Sequence, residues 1–203
     1  KLGYSIERFS MVRAVRSIER CDVAIIVLNS PDGIVEQDKR IAGIVETYGK
    51  SAVFLFNKWD LVKEPETAFK RYMTEFQNKF WFFKHAPVLT VSWLERKRVT
   101  KVFPLIDDVI HERKKRINTA ELNDFLQRTI SKAQPPMHRG RAIKINYMTQ
   151  IKTEPPEFVI FANKPEGIKE PYMRYMERSL REKFSFSGTP IRIYAKSKSA
   201  KSE

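Results

Sequence analysis

The chain has 203 residues, 42% of them hydrophobic and 31% charged, a single cysteine and a formal net charge of +14. No apolar run reaches the roughly 18 residues of a membrane helix, the opening stretch KLGYSIERFS lacks a signal-peptide core, and Cys21 has no internal disulfide partner. The reading is a soluble, cytosolic protein, expected as a monomer of two small domains, whose basicity is a common footprint of nucleic-acid partners but also of plain solvated surface.

Apolar Ile6, Phe9, Val12, Val15 and Ile18 recur every third residue and predict an amphipathic helix over 5–20. Val23–Leu28 is an unbroken apolar, β-branched run of the kind found in a parallel strand buried on both faces. A turn at Pro31-Asp32-Gly33 leads to a helix over 36–48, whose acidic Glu36 and Asp38 suit a positive N-terminal dipole and which Gly49 is placed to end. The cycle repeats with a strand at 51–57, an aromatic-studded helix over 65–83, a strand at 87–92 and a helix over 99–115. Strands alternating with helices imply an α/β domain with a parallel sheet, whose ligands meet the loops beyond the strands' carboxyl ends: Asn29–Gly33, Asn57–Asp60 and Ser92–Leu94.

After the charged run His111–Arg116 the alternation stops. A helix at 119–133, strands at 142–151 and 157–163, a helix at 170–184 and a strand at 190–195 form a small α+β unit, so the domains are read as 1–117 and 118–203.

Asn57-Lys58-Trp59-Asp60 follows a buried strand and suits guanine. A fixed Asp60 carboxylate accepts two hydrogen bonds from the ring N–H and exocyclic amine of that base, a donor pair adenine lacks. The Asn57 amide can donate to the base and tie neighbouring loops together, while the Lys58 methylenes cover a purine face. A wrong base would leave buried polar groups unpaired. The bland alternative is an ordinary strand-to-helix loop with a capping Asp60; the preceding strand, and a Ser-containing strand end one βα unit later, favour base recognition.

Gly43 followed by Gly49-Lys50-Ser51 mimics a phosphate-binding loop, but the spacing is one residue too long and the order is helix then strand, so a helix C-cap is expected. No other stretch is a Gly-rich loop, which puts the phosphate cradle and its Mg²⁺-binding Ser or Thr outside these residues. His85, His111 and His138 lack metal-ligand spacing with one another or with Cys21. Phe76, Phe80, Trp81, Phe82 and Phe83 are read as core packing rather than a base-stacking set, and Asp107 and Asp108 face different ways on a helix.

Residues 5–60 resemble the second GTPase domain of the EngA (Der) family of bacterial ribosome-assembly GTPases, starting just after switch II. Residues 140–165 and 172–196, which include Gly188-Thr189-Pro190-Ile191-Arg192-Ile193, are similar to that family's C-terminal KH-like domain. The resemblance implies a partial P-loop-type GTPase domain followed by a KH-like domain lacking GXXG, in a protein of two tandem G domains that matures the large ribosomal subunit. Implied cofactors are GTP or GDP with Mg²⁺, the metal ligands lying upstream; implied partners are the large subunit, its rRNA and an intramolecular G domain. Asn57, Lys58 and Asp60 become guanine-specificity residues, and Ser92 starts the Ser-Ala loop on the far side of the base. Trp93 departs from that pattern, so its indole has to swing outward, stack on the nucleotide or obstruct it. GTP hydrolysis is expected of the full-length protein and not of these residues alone, since phosphoryl transfer needs the missing cradle, metal and positioned water.

Gly140, Gly167 and Gly188 stand too far apart for the GXXG loop that clamps RNA in a standard KH domain. Two readings of the basic Lys132, Arg139, Arg141 and Lys144 follow: contact with rRNA phosphates, which is favoured, or docking on a G domain. Era-type GTPases are the nearest alternative within the class, and a non-catalytic RNA-binding module with a G-domain remnant is the alternative outside it.

Overall fold

The computed structural model describes residues 2–197, with side chains from Met11 onward. It divides into two compact units, the first running to Glu112 and taking in Ser187–Pro190, the second comprising Arg113–Phe186 and the chain from Ile191.

The first unit alternates α1 (Leu2–Arg20), β1 (Val23–Asn29), α2 (Glu36–Thr47), β2 (Ser51–Asn57), α3 (Pro65–Lys79), β3 (Val88–Thr90) and α4 (Val102–Lys114). Its three strands pair in parallel in the order β1-β2-β3. Central β2 alternates Ala52, Phe54 and Phe56 into one buried cluster with Val53 and Leu55 into another on the opposite face, as expected of a strand covered on both sides. On the first face Phe54 meets Phe76 and Phe80 at 4.8 Å and Phe83 at 5.7 Å between ring centroids. That accounts for most of the aromatic run as core, with Trp81 as the exception at 66% exposed.

Three expectations change. Among the described residues β1 is covered on one face, where Ile26 and Leu28 are buried, while Ile25 and Val27 on the other face are about half exposed. The helix predicted over 65–83 stops at Lys79, because Phe80 leaves helical geometry (φ −111°, ψ 49°) and a short 3-10 turn, Trp81–Phe83, swings Phe83 into the core. In α1 Ile18 is buried but Val12 exposed, so the predicted apolar stripe is not uniformly covered; the side chains of Ile6 and Phe9 lie outside the described residues.

Gly49, with φ +63°, donates from its N–H to Glu46 O at 2.8 Å, and Lys50 donates to Val45 O at 3.0 Å. These bonds satisfy the last carbonyls of α2, and the positive φ is the left-handed conformation for which glycine is the usual choice. The phosphate-loop mimic therefore terminates a helix.

The second unit contains α5 (Thr119–Lys132), β4 (Ile145–Thr153), β5 (Pro156–Ala162), α6 (Glu170–Phe184) and β6 (Arg192–Ser197). Asn118 caps α5, its side chain accepting from Ala120 N at 2.8 Å. The sheet order is β4-β5-β6, antiparallel then parallel, and one face, with Met148, Phe158, Ile160 and Ala162, packs on Leu122, Leu126, Met176 and Leu180 of the helices. Asn123 holds α5 to β4, accepting from Met148 N at 2.9 Å and donating to Met148 O at 3.1 Å.

Candidate guanine-reading loops and basic hairpin

In the register of the parallel sheet Asn29 stands beside Asn57, so the two strands end together and their following loops lie side by side. Ser30, fully buried, donates from Oγ to Asn57 O at 2.6 Å, and Tyr72 Oη donates to Ser30 O at 2.5 Å. On the other side the Trp93 N–H donates to Asn57 Oδ1 at 3.3 Å, and Trp59 N–H donates to Val91 O at 3.1 Å. The three loops singled out from the sequence are thus joined through Asn57.

Lys58 is exposed and adopts the left-handed conformation (φ 59°, ψ 37°), a turn that non-glycine residues rarely make outside tight or functional loops. Trp59 points its ring into the aromatic core, 5.3 Å from Tyr72, 6.2 Å from Phe56 and 6.3 Å from Phe69. It anchors the loop while its neighbours remain at the surface, and a cleft of about 430 Å³ opens beside it, bordered by Phe69, Leu89 and Arg98.

Asp60 is partly buried, and its Oδ1 is enclosed with no hydrogen-bond partner among the described residues. Leaving a buried acceptor unmet costs about 1–3 kcal/mol, more for a charged group, so such an atom calls for a reason. The donor set of guanine, two N–H groups side by side, matches the two oxygens of a carboxylate in general.

Ser92 is 1% exposed and accepts from Glu95 N on its Oγ at 3.1 Å, while its backbone exchanges hydrogen bonds with Lys97 at 3.2 and 3.0 Å. This closes a tight loop that carries Trp93 outward, 48% exposed. Lys97, at the closing end, pairs with Glu95 at 2.6 Å, and its ammonium is held above the usual lysine range first by that carboxylate and, more weakly, by Asp60. Lys97 thus shares the electrostatic surroundings of Asp60. Sequence reading missed it because it lies 37 positions downstream of Asp60, outside any contiguous motif. Asn29, which opens the first of the loops singled out from the sequence, donates to Asp32 Oδ2 at 2.5 Å, and its Oδ1 is also buried without a partner among the described residues.

In the second unit His138 and Arg141 flank a two-residue turn, Arg139-Gly140. His138 N–H donates to Arg141 O at 2.9 Å and Arg141 N–H to His138 O at 3.0 Å, with Arg139 (φ 48°) and Gly140 (φ 71°) at the tip, the geometry of a type I′ hairpin. Lys132, Arg139, Arg141 and Lys144 are all exposed. The hairpin leans on Gly167, where an added Cβ would come within 2.6 Å of the His138 side chain and 2.7 Å of Ile143. Lys144 is held at the start of β4 by Asn163, whose Oδ1 accepts from its N–H at 2.9 Å.

Residues 9–112 match the elongation factor Tu GTP-binding domain family, and residues 116–196 match the KH-domain-like family found at the C terminus of EngA bacterial GTPase enzymes. The chain belongs to the EngA (Der) family. Relatives of the EngA-family chain include GTPase Der of Desulforamulus reducens, 38% identical over 99% of this chain and 46% of the relative, and GTPase Der of Bacillus thuringiensis, 40% identical over 98% of this chain and 45% of the relative. The chain spans about half the length of the curated relatives it matches. Among solved structures, Era in complex with MgGDPNP and nucleotides 1506–1542 of 16S ribosomal RNA aligns over 90% of this chain and 67% of that one, with 15% identity and a TM-score of 0.43.

Proposed function

We propose that the EngA-family chain carries the guanine-reading part of a GTP-binding, GTP-hydrolysing protein, joined to a domain that contacts rRNA during maturation of the large ribosomal subunit. The observation that carries the first half is the buried, unmatched Asp60 Oδ1 in a loop set knitted together by Asn57. In this reading Asp60 accepts the two guanine N–H groups, Asn57 fixes the loops and donates to the base, and the Lys58 stem covers one purine face. Ser92 holds the opposite loop, and Trp93 presents its backbone toward Asn57 while its indole flanks the base. GTP with Mg²⁺ would supply the phosphoryl group and its charge neutralisation, the phosphate-binding half belonging to the additional length that the relatives possess. That the matched relatives are named GTPase Der supports the same reading.

For the second half, the exposed Lys132, Arg139, Arg141 and Lys144 sit around one hairpin of a KH-like domain, where several cations can meet phosphates along one strand. Calorimetric titration of GDP and XDP against the full-length protein and its Asp60→Asn variant tests the nucleotide half. Tight GDP binding that Asp60→Asn weakens while improving XDP is the expected result. Failure of the intact protein to bind GDP would overturn it and leave a non-catalytic RNA-binding module as the function. Charge reversal of Arg139 and Arg141 that left ribosomal subunit binding unchanged would remove the rRNA assignment from that hairpin.

A further inference from the structure

One face of the β4-β5-β6 sheet packs on α5 and α6; the other carries an unusual set of side chains for a solvent-facing surface, which in an antiparallel sheet is normally polar. Strand register aligns Tyr147 with Phe161 and Phe161 with Lys196 in one row, and Thr149 with Val159 and Val159 with Tyr194 in the next. Tyr147 and Phe161 are stacked, ring centroids 4.4 Å apart and planes within 17°. Tyr147 is 37% exposed and Tyr194 39%, whereas Val159 on the central strand is 2% exposed and Phe161 half-buried, so the accessible part of this face is its two flanks. Cations accompany the rings: Lys196 is exposed at the end of the first row, and Arg192 lies on the same face of β6. The acid on this face of β5, Glu157, is paired with Lys152 at 3.7 Å.

Aromatic pairing across strands can serve the sheet alone, but two features exceed that role. β4 is an edge strand, so the stack that begins at Phe161 ends at a Tyr147 ring whose far face has no neighbouring strand to cover it. Tyr147 also stands two interstrand steps, about 10 Å, from Lys196 in register, and Tyr194 lies between Arg192 and Lys196 on one face of β6. Open π-faces beside cations are how proteins hold single-stranded nucleic acid, with bases stacking on rings and phosphates meeting Lys or Arg.

We propose that this open sheet face is a stacking platform for single-stranded RNA: a base continues the Phe161–Tyr147 stack at the edge of β4, a second base packs on Tyr194, and Lys196 with Arg192 meets the intervening phosphates. The platform is separate from the Arg139–Arg141 hairpin, though it rests on the reading that this domain contacts RNA. Charge complementarity selects RNA as the occupant over an apolar protein surface, since the cations of this face outnumber its one paired acid.

The test is fluorescence anisotropy of labelled oligouridine and oligoadenosine RNAs of about 12 nucleotides with the 203-residue chain, its Tyr147→Leu, Tyr194→Leu and Lys196→Gln variants, and the Arg139→Glu/Arg141→Glu double variant. Leucine keeps an apolar cover and removes the ring, and a thermal melt confirms that each variant folds; should Tyr147→Leu not fold, the more peripheral Tyr194→Leu decides. The expected result is a Kd about tenfold weaker for either tyrosine variant and, for Lys196→Gln, a log Kd against log salt slope reduced by about 0.7. Wild-type affinity in both tyrosine variants, with loss only in the arginine double variant, would overturn the platform and leave the RNA reading standing. Absence of oligonucleotide binding by the parent chain would overturn both and point to a protein as the occupant of this face.

Discussion

The two candidate sites are built in opposite ways. Around Asn57 the side chains other than Lys58 and Trp93 are buried or half-buried, and three loops from different parts of the chain are bonded to one another: Ser30 to Asn57, Asn57 to Trp93, Trp59 to Val91. At the hairpin of Arg139 and Arg141 the candidate side chains are exposed, and what is fixed is the backbone turn beneath them. A base is told from another base by a few directional hydrogen bonds in a desolvated place, so its reader has to be rigid and enclosed. Phosphates are met by charge, which tolerates motion and works at the surface. The first site should therefore respond to single substitutions abruptly, the second gradually and in proportion to salt.

The sharpest break in that comparison is Asp60→Asn. If the first site reads guanine through one carboxylate, this isosteric change should weaken GDP by roughly 100-fold in calorimetry of the full-length protein, without lowering its melting temperature; a loss under threefold would mean the loop set is only structural. Next comes Gly167→Ala, which forces a methyl group against His138 and Ile143. It should cost roughly 1–3 kcal/mol of stability in urea unfolding and displace the basic hairpin, weakening RNA while leaving GDP affinity unchanged. Asn57→Ala should remove the side-chain tie to Trp93 N–H and weaken GDP about tenfold; it leaves the bond from Ser30 Oγ to the Asn57 carbonyl in place, so Ser30→Ala should add a further loss of its own.

The smallest expected effect concerns pH. Burial, and secondarily the neighbouring Tyr175, pushes the Tyr172 phenol up to about 12, and its hydroxyl donates to Ala133 O at 2.9 Å. The fold favours the neutral phenol, so this contribution is complete below pH 10, the ordinary tyrosine value, and is lost as pH climbs through about 12. Across that alkaline window the wild type should lose a few degrees of melting temperature relative to Tyr172→Phe; parallel curves would mean that Tyr172 ionises as it does in the unfolded chain.

Much of this was legible along the chain. The alternation of β-branched runs with helical periodicity marked the parallel α/β region, Gly49 marked the end of α2, and Asn57-Lys58-Trp59-Asp60 announced itself because its residues are adjacent. Chemistry carried by neighbours in sequence survives reading one residue at a time. By contrast the exposure of Ile25 and Val27 could not be read from their apolar character, because what packs over each face of a strand is set by distant segments. Lys97 beside Asp60, Asn29 beside Asn57, and Tyr147 stacked on Phe161 were likewise invisible, since each depends on strand register or on which loops end at the same edge.

What the amino-acid order determined by itself was local: the elements, the turns that need a particular residue, the contiguous Asn57-Lys58-Trp59-Asp60 run and the basic balance. Tertiary structure alone decided which loop surrounds Asp60, that Trp59 turns inward while Trp93 turns outward, that Ser187–Pro190 packs with the first unit, and which rings share the open face of the second sheet. The physical reason is the range of the forces involved. Propensity, capping and periodicity act over a few residues, whereas burial, register and loop juxtaposition are settled by contacts between distant segments that exist only once the chain has folded.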